Sequence, residues 1–160
     1  MTVRMVNNPS SLDTVVATNL HADILSDLAA GLAGSIGIAP SGNLDPTRRY
    51  PSMFEPIHGS APDIAGQGVA NPVGAFWSAS EMVRWLAGAD EGAEGGDRGA
   101  EGVAGNKSVR GMAEAADRLM RAVENVTGAG VRTRDLGGDK GTEEVTEAVC
   151  REVERLAGSA

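Results

Sequence analysis

Two aspartates, Asp23 and Asp27, lie four residues apart in the segment NLHADILSD, residues 19–27. Side chains at i and i+4 project from the same face of a helix, so a helix here places two carboxylates side by side. These like charges repel each other, and a hard divalent cation such as Mg²⁺ or Mn²⁺, which prefers oxygen ligands, would neutralise them. The alternative is a pair of solvated acids near a helix N-terminus, stabilised by the helix dipole. Spacing alone favours this alternative.

A second group of polar residues lies in one continuous segment, FEPIHGSAPDIAGQGVANP, residues 54–72. Gly59, beside Ser60, lets main-chain amides approach a ligand closely, and neighbouring N–H groups can hold a phosphate. An acid such as Asp63 can accept hydrogen bonds from an adenosine ribose and would repel a 2′-phosphate. The alternative is an ordered loop in which Asp63 forms an Asx turn, Asn71 caps a helix and His58 is structural.

The elements that position these residues follow from hydrophobic spacing. The segment DTVVATN predicts a short buried strand over residues 13–19. Helical spacing predicts helices over 22–34, 72–87 and 109–128, and a last helix after Thr142. The segment 35–70, rich in Pro and Gly, predicts mostly loop with a short extended piece around Met53 and Phe54. This order indicates part of an α/β protein, because there are too few strands for a complete sheet covered by so many helices.

Composition narrows the class of partner. A net charge of −8 argues against nucleic acid or an anionic membrane surface as the main partner. The single cysteine, Cys150, cannot form an internal disulfide, which indicates a reducing cytoplasm. Neither a membrane span nor a signal peptide is visible in the sequence. Residues 88–105, rich in Gly and acids and without periodicity, predict a flexible surface loop.

Three segments in this order resemble a known family: NLHADILSDLAAGLAGSIGIAPSGN, MFEPIHGSAPDIAGQGVANP and RDLGGDKGTEEVTEAV. They are similar to the C-terminal part of the metal-dependent decarboxylating 2-hydroxyacid dehydrogenases, which include isopropylmalate, isocitrate, D-malate and tartrate dehydrogenases. The NLHAD variant and the longer loop DPTRRYPSMFEP look most like the tartrate and D-malate branch.

The resemblance implies an α/β fold, namely an incomplete, C-terminal part of the isopropylmalate dehydrogenase-like two-domain fold. It assigns residues 1–34 to part of the smaller, dimer-forming domain, which carries the metal-binding helix. It assigns residues 35–160 to the C-terminal part of the large NAD-binding α/β domain.

The resemblance also implies roles for single residues. Asp23 and Asp27 become ligands of the Mg²⁺ or Mn²⁺ that holds the substrate's hydroxyl and carboxylate, which reverses the preference drawn from spacing. The Asp63–Ile64 pair implies NAD rather than NADP, with Asp63 on the adenosine ribose and Asn71 at the adenine. The residues expected to line the nucleotide are His58, Gly59, Ser60, Ala61, Asp63, Ile64 and Asn71.

No catalytic residue is assigned within these 160 residues. By the resemblance, the substrate-binding arginines, the proton-transferring Tyr and Lys and a further metal-binding Asp from the partner subunit all align outside them. We therefore expect a truncated reading frame, or one half of a split enzyme, that is inactive alone. The complete enzyme is expected to be a cytoplasmic homodimer acting on D-malate, tartrate or 3-isopropylmalate, without nucleic acid or membrane partners. The alternative is a non-catalytic nucleotide-binding or regulatory subunit of such an enzyme.

Overall fold

The chain forms two compact units, Met1–Ile36 and Gly37–Ala160. In this computed structural model the described residues are 1–88 and 107–158, and residues 107–109 are described by their backbone alone. The division lies close to the boundary expected after residue 34, and the assignment of the units to a dimer-forming and an NAD-binding domain stays a prediction.

The first unit consists of two helices joined by an irregular segment. Helix α1 spans Thr2–Asn7, a short 3₁₀ turn follows at Pro9–Ser11, and α2 spans Asn19–Ala33. Arg4 ties α1 to the turn, since its Nε donates to the Ser11 hydroxyl at 2.9 Å. Helix α2 confirms the helix predicted around the aspartate pair, although it begins earlier than expected. It ends at Gly34, whose φ of 127° lies in the region that favours glycine.

The strand predicted over residues 13–19 is wrong. Residues 12–18 are irregular, and Asn19 already belongs to α2. Val16, at the centre of the apolar run, is 97% exposed. A strand needs a neighbour with which to share hydrogen bonds, and the described residues of this unit contain no other strand. The β-branched residues are therefore not paired in a sheet.

The second unit begins with a β-hairpin. Strand β1, Pro40–Asn43, pairs antiparallel with β2, Met53–Pro56, and Pro40 lies opposite Pro56. Strand β2 confirms the extended piece predicted around Met53 and Phe54. Strand β1 is not predicted from sequence, because Pro40 and Gly42 are typical of loops. Proline is compatible with the first position of a strand, and a Cβ on Gly42 would lie 3.4 Å from the Phe54 ring.

Three helices follow the hairpin and confirm the three that were predicted. They are α3, Val73–Leu86; α4, Lys107–Gly128; and α5, Thr142–Gly158. Helix α3 packs on both strands and on α4, and α4 packs in turn on α5. Short 3₁₀ turns occur at Pro62–Ile64 and Arg134–Leu136. Except for Gly88, the glycine-rich loop predicted at 88–105 lies outside the described residues.

The fully buried residues at the centre of this unit have small side chains. The buried cluster consists of Val73, Ala122, Val123, Val126 and Val149. At the contact between α3 and α4, the fully buried Ser80 hydroxyl donates to the carbonyl oxygen of Ala116 at 3.1 Å. This bond satisfies a hydroxyl whose burial without a partner would be unfavourable.

The loop between the two strands is fixed by one carboxylate and one stacked arginine. Asp45 accepts hydrogen bonds from the main-chain N–H groups of Thr47, Arg49 and Tyr50. These bonds hold the pKa of Asp45 below its usual value, and the bond from Tyr50 has the largest effect. The guanidinium of Arg48 lies 4.3 Å from the centre of the Trp85 ring, which connects the loop to α3.

The close approach of α3 to the hairpin gives a first prediction. A Cβ on Gly74 would lie 2.9 Å from the Gly37 carbonyl oxygen and 3.3 Å from the Pro56 Cβ. Gly74→Ala should therefore lower the free energy of unfolding by about 1–3 kcal/mol, because the backbone must move. Gly111→Ala is the matched control, since a Cβ there meets nothing within 4 Å. Gly111→Ala should raise the free energy of unfolding by up to about 1 kcal/mol, because Ala favours a helix more than Gly does. Urea unfolding measures both variants. Equal effects of the two substitutions would contradict this packing.

The contact between α4 and α5 gives a second prediction. Glu152 accepts hydrogen bonds from Arg155 and from Asn125 of α4, each at 2.7 Å. The Arg155 bond, and then the Asn125 bond, lower the pKa of Glu152 from 4.5 to about 2. A lowered pKa means that the ionised carboxylate stabilises the fold above pH 4.5 and stops doing so as the pH falls toward 2.

Glu152→Gln should therefore lower the thermal midpoint at neutral pH. The difference from the wild type should shrink as the pH falls through the window between 4.5 and about 2. Glu147→Gln is the control, because Glu147 pairs with the exposed Arg151 on the same helix, at 3.3 Å, and such pairs stabilise little. A constant difference across that window would contradict the role of the Glu152 charge.

Candidate metal and nucleotide sites

The two aspartates stand one helical turn apart on α2, and both are exposed. Neither carboxylate forms a hydrogen bond or an ion pair with another described residue. Within residues 1–88 and 107–158, no cluster of three or more His, Cys, Asp or Glu side chains surrounds them. The pair fits part of a hard-cation site, because its oxygens are open and share one helix face. The remaining ligands of such a site would come from groups outside the described residues, such as water or substrate.

Residues 57–61, the first part of the loop that the sequence suggests for nucleotide binding, follow β2 and are open. The His58 Nδ1 lies 2.9 Å from the Gly59 carbonyl oxygen. A carbonyl only accepts, so Nδ1 carries the proton in this contact and donates it. A Cβ on Gly59 would meet nothing within 4 Å, which leaves the main chain of Gly59 and Ser60 accessible. Ala61 follows with a φ of 42°, in the left-handed region that non-glycine residues seldom adopt.

Asp63 lies in the 3₁₀ turn Pro62–Ile64 and is exposed, while Ile64 is partly buried. Gln67 closes this turn, because its Nε2 donates to the Asp63 carbonyl oxygen at 2.8 Å. The Asp63 carboxylate itself bonds to no described residue. The loop therefore leaves this carboxylate open to a ligand instead of using it in an Asx turn.

Asn71 has the capping role that the sequence analysis gave as the alternative. Its Oδ1 accepts the N–H of Val73 at 2.9 Å, at the first turn of α3. Its Nδ2 donates to Asp135 Oδ2 at 2.8 Å. The side chain therefore joins α3 to the turn that precedes α5.

That turn holds residues to which the sequence analysis assigned no role. The Asp135 carboxylate also accepts from the buried Thr133 hydroxyl at 2.5 Å. A Cβ on Gly138 would overlap the carbonyl oxygen of Arg132, so the turn requires glycine there. At its end, Thr142 donates its N–H to the Gly68 carbonyl at 2.8 Å and its hydroxyl to the Ala70 carbonyl at 2.5 Å. The one sequence signal for these contacts is the polar, Gly-rich segment RDLGGDKGT, which by itself does not reveal a partner so distant in the chain.

Comparison with known proteins decides the family. Residues 1–149 match the isocitrate/isopropylmalate dehydrogenase family. The chain belongs to this family. It is 55% identical over 159 residues to a probable tartrate dehydrogenase/decarboxylase of Agrobacterium vitis, covering 99% of this chain and 37% of that protein. It is 45% identical over 154 residues to an isocitrate/homoisocitrate dehydrogenase of Thermus thermophilus, covering 96% of this chain and 38% of that protein.

A solved structure supports the same fold. The isocitrate dehydrogenase of Methylococcus capsulatus superposes with a TM-score of 0.75 at 35% identity, covering 95% of this chain and 38% of that one. The chain is thus a partial piece of an isocitrate dehydrogenase-like fold with mixed helix and sheet, which confirms the predicted fold class. It spans little more than a third of the length of these relatives. Among the described helices, none is long and apolar enough to cross a membrane.

Proposed function

We propose that the chain is the C-terminal portion of an NAD-dependent, divalent-metal-dependent 2-hydroxyacid dehydrogenase. Its reaction would be the oxidative decarboxylation of tartrate, D-malate or 3-isopropylmalate, and the name of the Agrobacterium vitis relative favours tartrate. One observation carries the proposal: two open carboxylates share one face of α2 in a chain that is 55% identical to that relative.

The metal part of the proposal rests on Asp23 and Asp27. Their carboxylates would hold Mg²⁺ or Mn²⁺, and the exposed face of α2 leaves room for substrate and water beside them. When bound, the cation supplies positive charge that stabilises negative charge on the substrate oxygen. Without the cation, the two carboxylates repel each other on one helix face.

The nucleotide part rests on the loop after β2. The accessible main chain of Gly59 and Ser60 would donate N–H groups to the phosphates of the cofactor. The open Asp63 carboxylate would accept hydrogen bonds from the adenosine ribose and disfavour a 2′-phosphate. His58, Ala61 and Ile64 would line the nucleotide, and Asn71 would lie at the adenine. NAD⁺, when bound, accepts the hydride.

The exposed apolar side chains of the first unit support the proposal that this surface is covered in the complete enzyme. Val3, Val16 and Leu20 are 71%, 97% and 68% exposed, which is unfavourable for apolar side chains in water. A groove of about 380 Å³ between α1 and α2 is lined mainly by apolar residues, among them Met5, Leu12 and Leu32. We propose that these surfaces pack against the rest of the enzyme or a second copy in a homodimer.

Metal binding can be tested on the purified chain. Mn²⁺ should broaden the amide NMR signals around Asp23 and Asp27, because its unpaired electrons relax nearby nuclei even when binding is weak. Asp27→Asn should abolish this local broadening, since it removes one of two charged ligands. Asp13→Asn, the same change outside α2 in the same unit, should leave it unchanged. Broadening that persists at α2 in the Asp27 variant would contradict the assignment.

Cofactor choice can be tested by titration. The chain should bind NAD⁺ more tightly than NADP⁺, because the Asp63 carboxylate would face the 2′-phosphate of NADP⁺. Asp63→Asn should bring the ratio of the NADP⁺ and NAD⁺ dissociation constants closer to one, as measured by NMR shift titration. Glu55→Gln removes another exposed charge, from β2, and should leave the ratio unchanged. NADP⁺ binding as tight as that of NAD⁺ in the wild type would contradict the interpretation of this loop.

The proposal also predicts that the purified chain does not turn over substrate. It spans 37% of its Agrobacterium vitis relative, and none of its residues is assigned to gripping substrate carboxylates or transferring protons, which hydride transfer requires. The assay follows NADH formation with tartrate, D-malate and 3-isopropylmalate in the presence of Mn²⁺. Turnover at an ordinary enzymatic rate would contradict the proposal. A change in the rate of a complete homologous dehydrogenase on adding the chain would favour a regulatory subunit instead.

A further inference from the structure

We propose that Asp135 and Thr142 are positioning residues for the nucleotide, holding the main chain of residues 68–71 in the form that binds the adenosine half. This inference rests on the proposed function of the loop. The two residues act through residues 68–71 and need not touch the ligand. We call residues 133–142, which include Asp135 and Thr142, the brace.

Three hydrogen bonds join the brace to the loop. Asp135 accepts from the Asn71 side chain at 2.8 Å, and Thr142 donates to Gly68 through its N–H and to Ala70 through its hydroxyl. The two side-chain bonds span 64 and 72 residues of sequence. By contrast, the bonds that shape residues 61–67 are local, such as Ile64 N–H to the Ala61 carbonyl at 3.1 Å. The second half of the loop is thus held from outside, while its first half is shaped by its own residues.

The brace itself is tightly built. Thr133 is 1% exposed and orients Asp135, and Gly138 is required by the closeness of the Arg132 carbonyl. A Cβ on Gly141 would lie 2.9 Å from the Gly68 carbonyl oxygen, so glycine at this position also lets the brace approach the loop. This construction fixes the donors and acceptors before any ligand arrives, which lowers the entropic cost of binding.

The Thr142 hydroxyl is not needed to start its own helix. Glu144 Oε2 accepts the N–H of Gly141 at 3.0 Å, which caps the first turn of α5. Val145 and Val149, both 1% exposed, anchor α5 in the unit. The hydroxyl instead bonds to the Ala70 carbonyl in an exposed position. Its removal should therefore change the loop more than it changes the fold.

The test measures the affinity of the full 160-residue chain for NAD⁺ and for ADP-ribose by NMR shift titration. Thr142→Val and Asp135→Ala should each weaken binding about fivefold, the effect of losing one ordinary hydrogen bond. Thr142→Ser and Asp135→Asn keep a donor and an acceptor, respectively, and should bind within about twofold of the wild type. Thr146→Val is the matched control, because the Thr146 hydroxyl bonds within α5, to the Thr142 carbonyl at 2.8 Å. It should lower the thermal midpoint as much as Thr142→Val does and leave affinity unchanged.

Each result decides the inference. Loss of affinity in Thr142→Val and Asp135→Ala, with recovery in the Ser and Asn variants, supports it. Wild-type affinity in both of the first two variants overturns it while leaving the nucleotide assignment intact. Equal loss of affinity in Thr146→Val also overturns it, because general destabilisation would then explain the effect. A wild-type chain that binds neither probe overturns the proposed function, and the inference with it.

Discussion

Main-chain carbonyl groups that are fixed in a loop need hydrogen-bond donors, and this requirement organises residues 68–71. The carbonyls of Gly68 and Ala70 find both donors on Thr142, the first residue of α5. Thr142 reaches them because Val145 and Val149 bury α5 in a core of small side chains. The geometry of the loop therefore depends on helix packing elsewhere in the unit, and not on the loop sequence alone.

Helices were predictable because their determinants are local. The spacing of Val145, Val149 and Val153 places one stripe of α5 toward α4, and Gly34 marks the end of α2 without reference to any other element. Strands depend on partners, which explains both errors. The run around Val16 has strand composition but no neighbouring strand in the described part of its unit, while β1 contains Pro40 and Gly42 and is extended only because β2 pairs with it.

The candidate site also contains features that local sequence predicts and features that only the tertiary fold determines. The spacing of Asp23 and Asp27 placed two carboxylates on one helix face, but only the resemblance favoured a metal site over solvated acids. For Asn71, sequence indicated a helix cap, and the structure gives its side chain both that cap and the bond to Asp135. The Asp135 contact could not be predicted, because no periodicity relates two residues 64 positions apart. Such pairs are determined by the tertiary fold.

The long sequence separation of these contacts has a consequence for folding. Helices α3, α4 and α5 pack in chain order, so much of their assembly proceeds through contacts between consecutive elements. The bond from Thr142 to Ala70 instead closes a loop of 72 residues, whose closure entropy must be offset before the bond contributes. Residues 68–71 therefore gain this bond only after α5 has docked. During synthesis at the ribosome, they lack it until α5 has emerged.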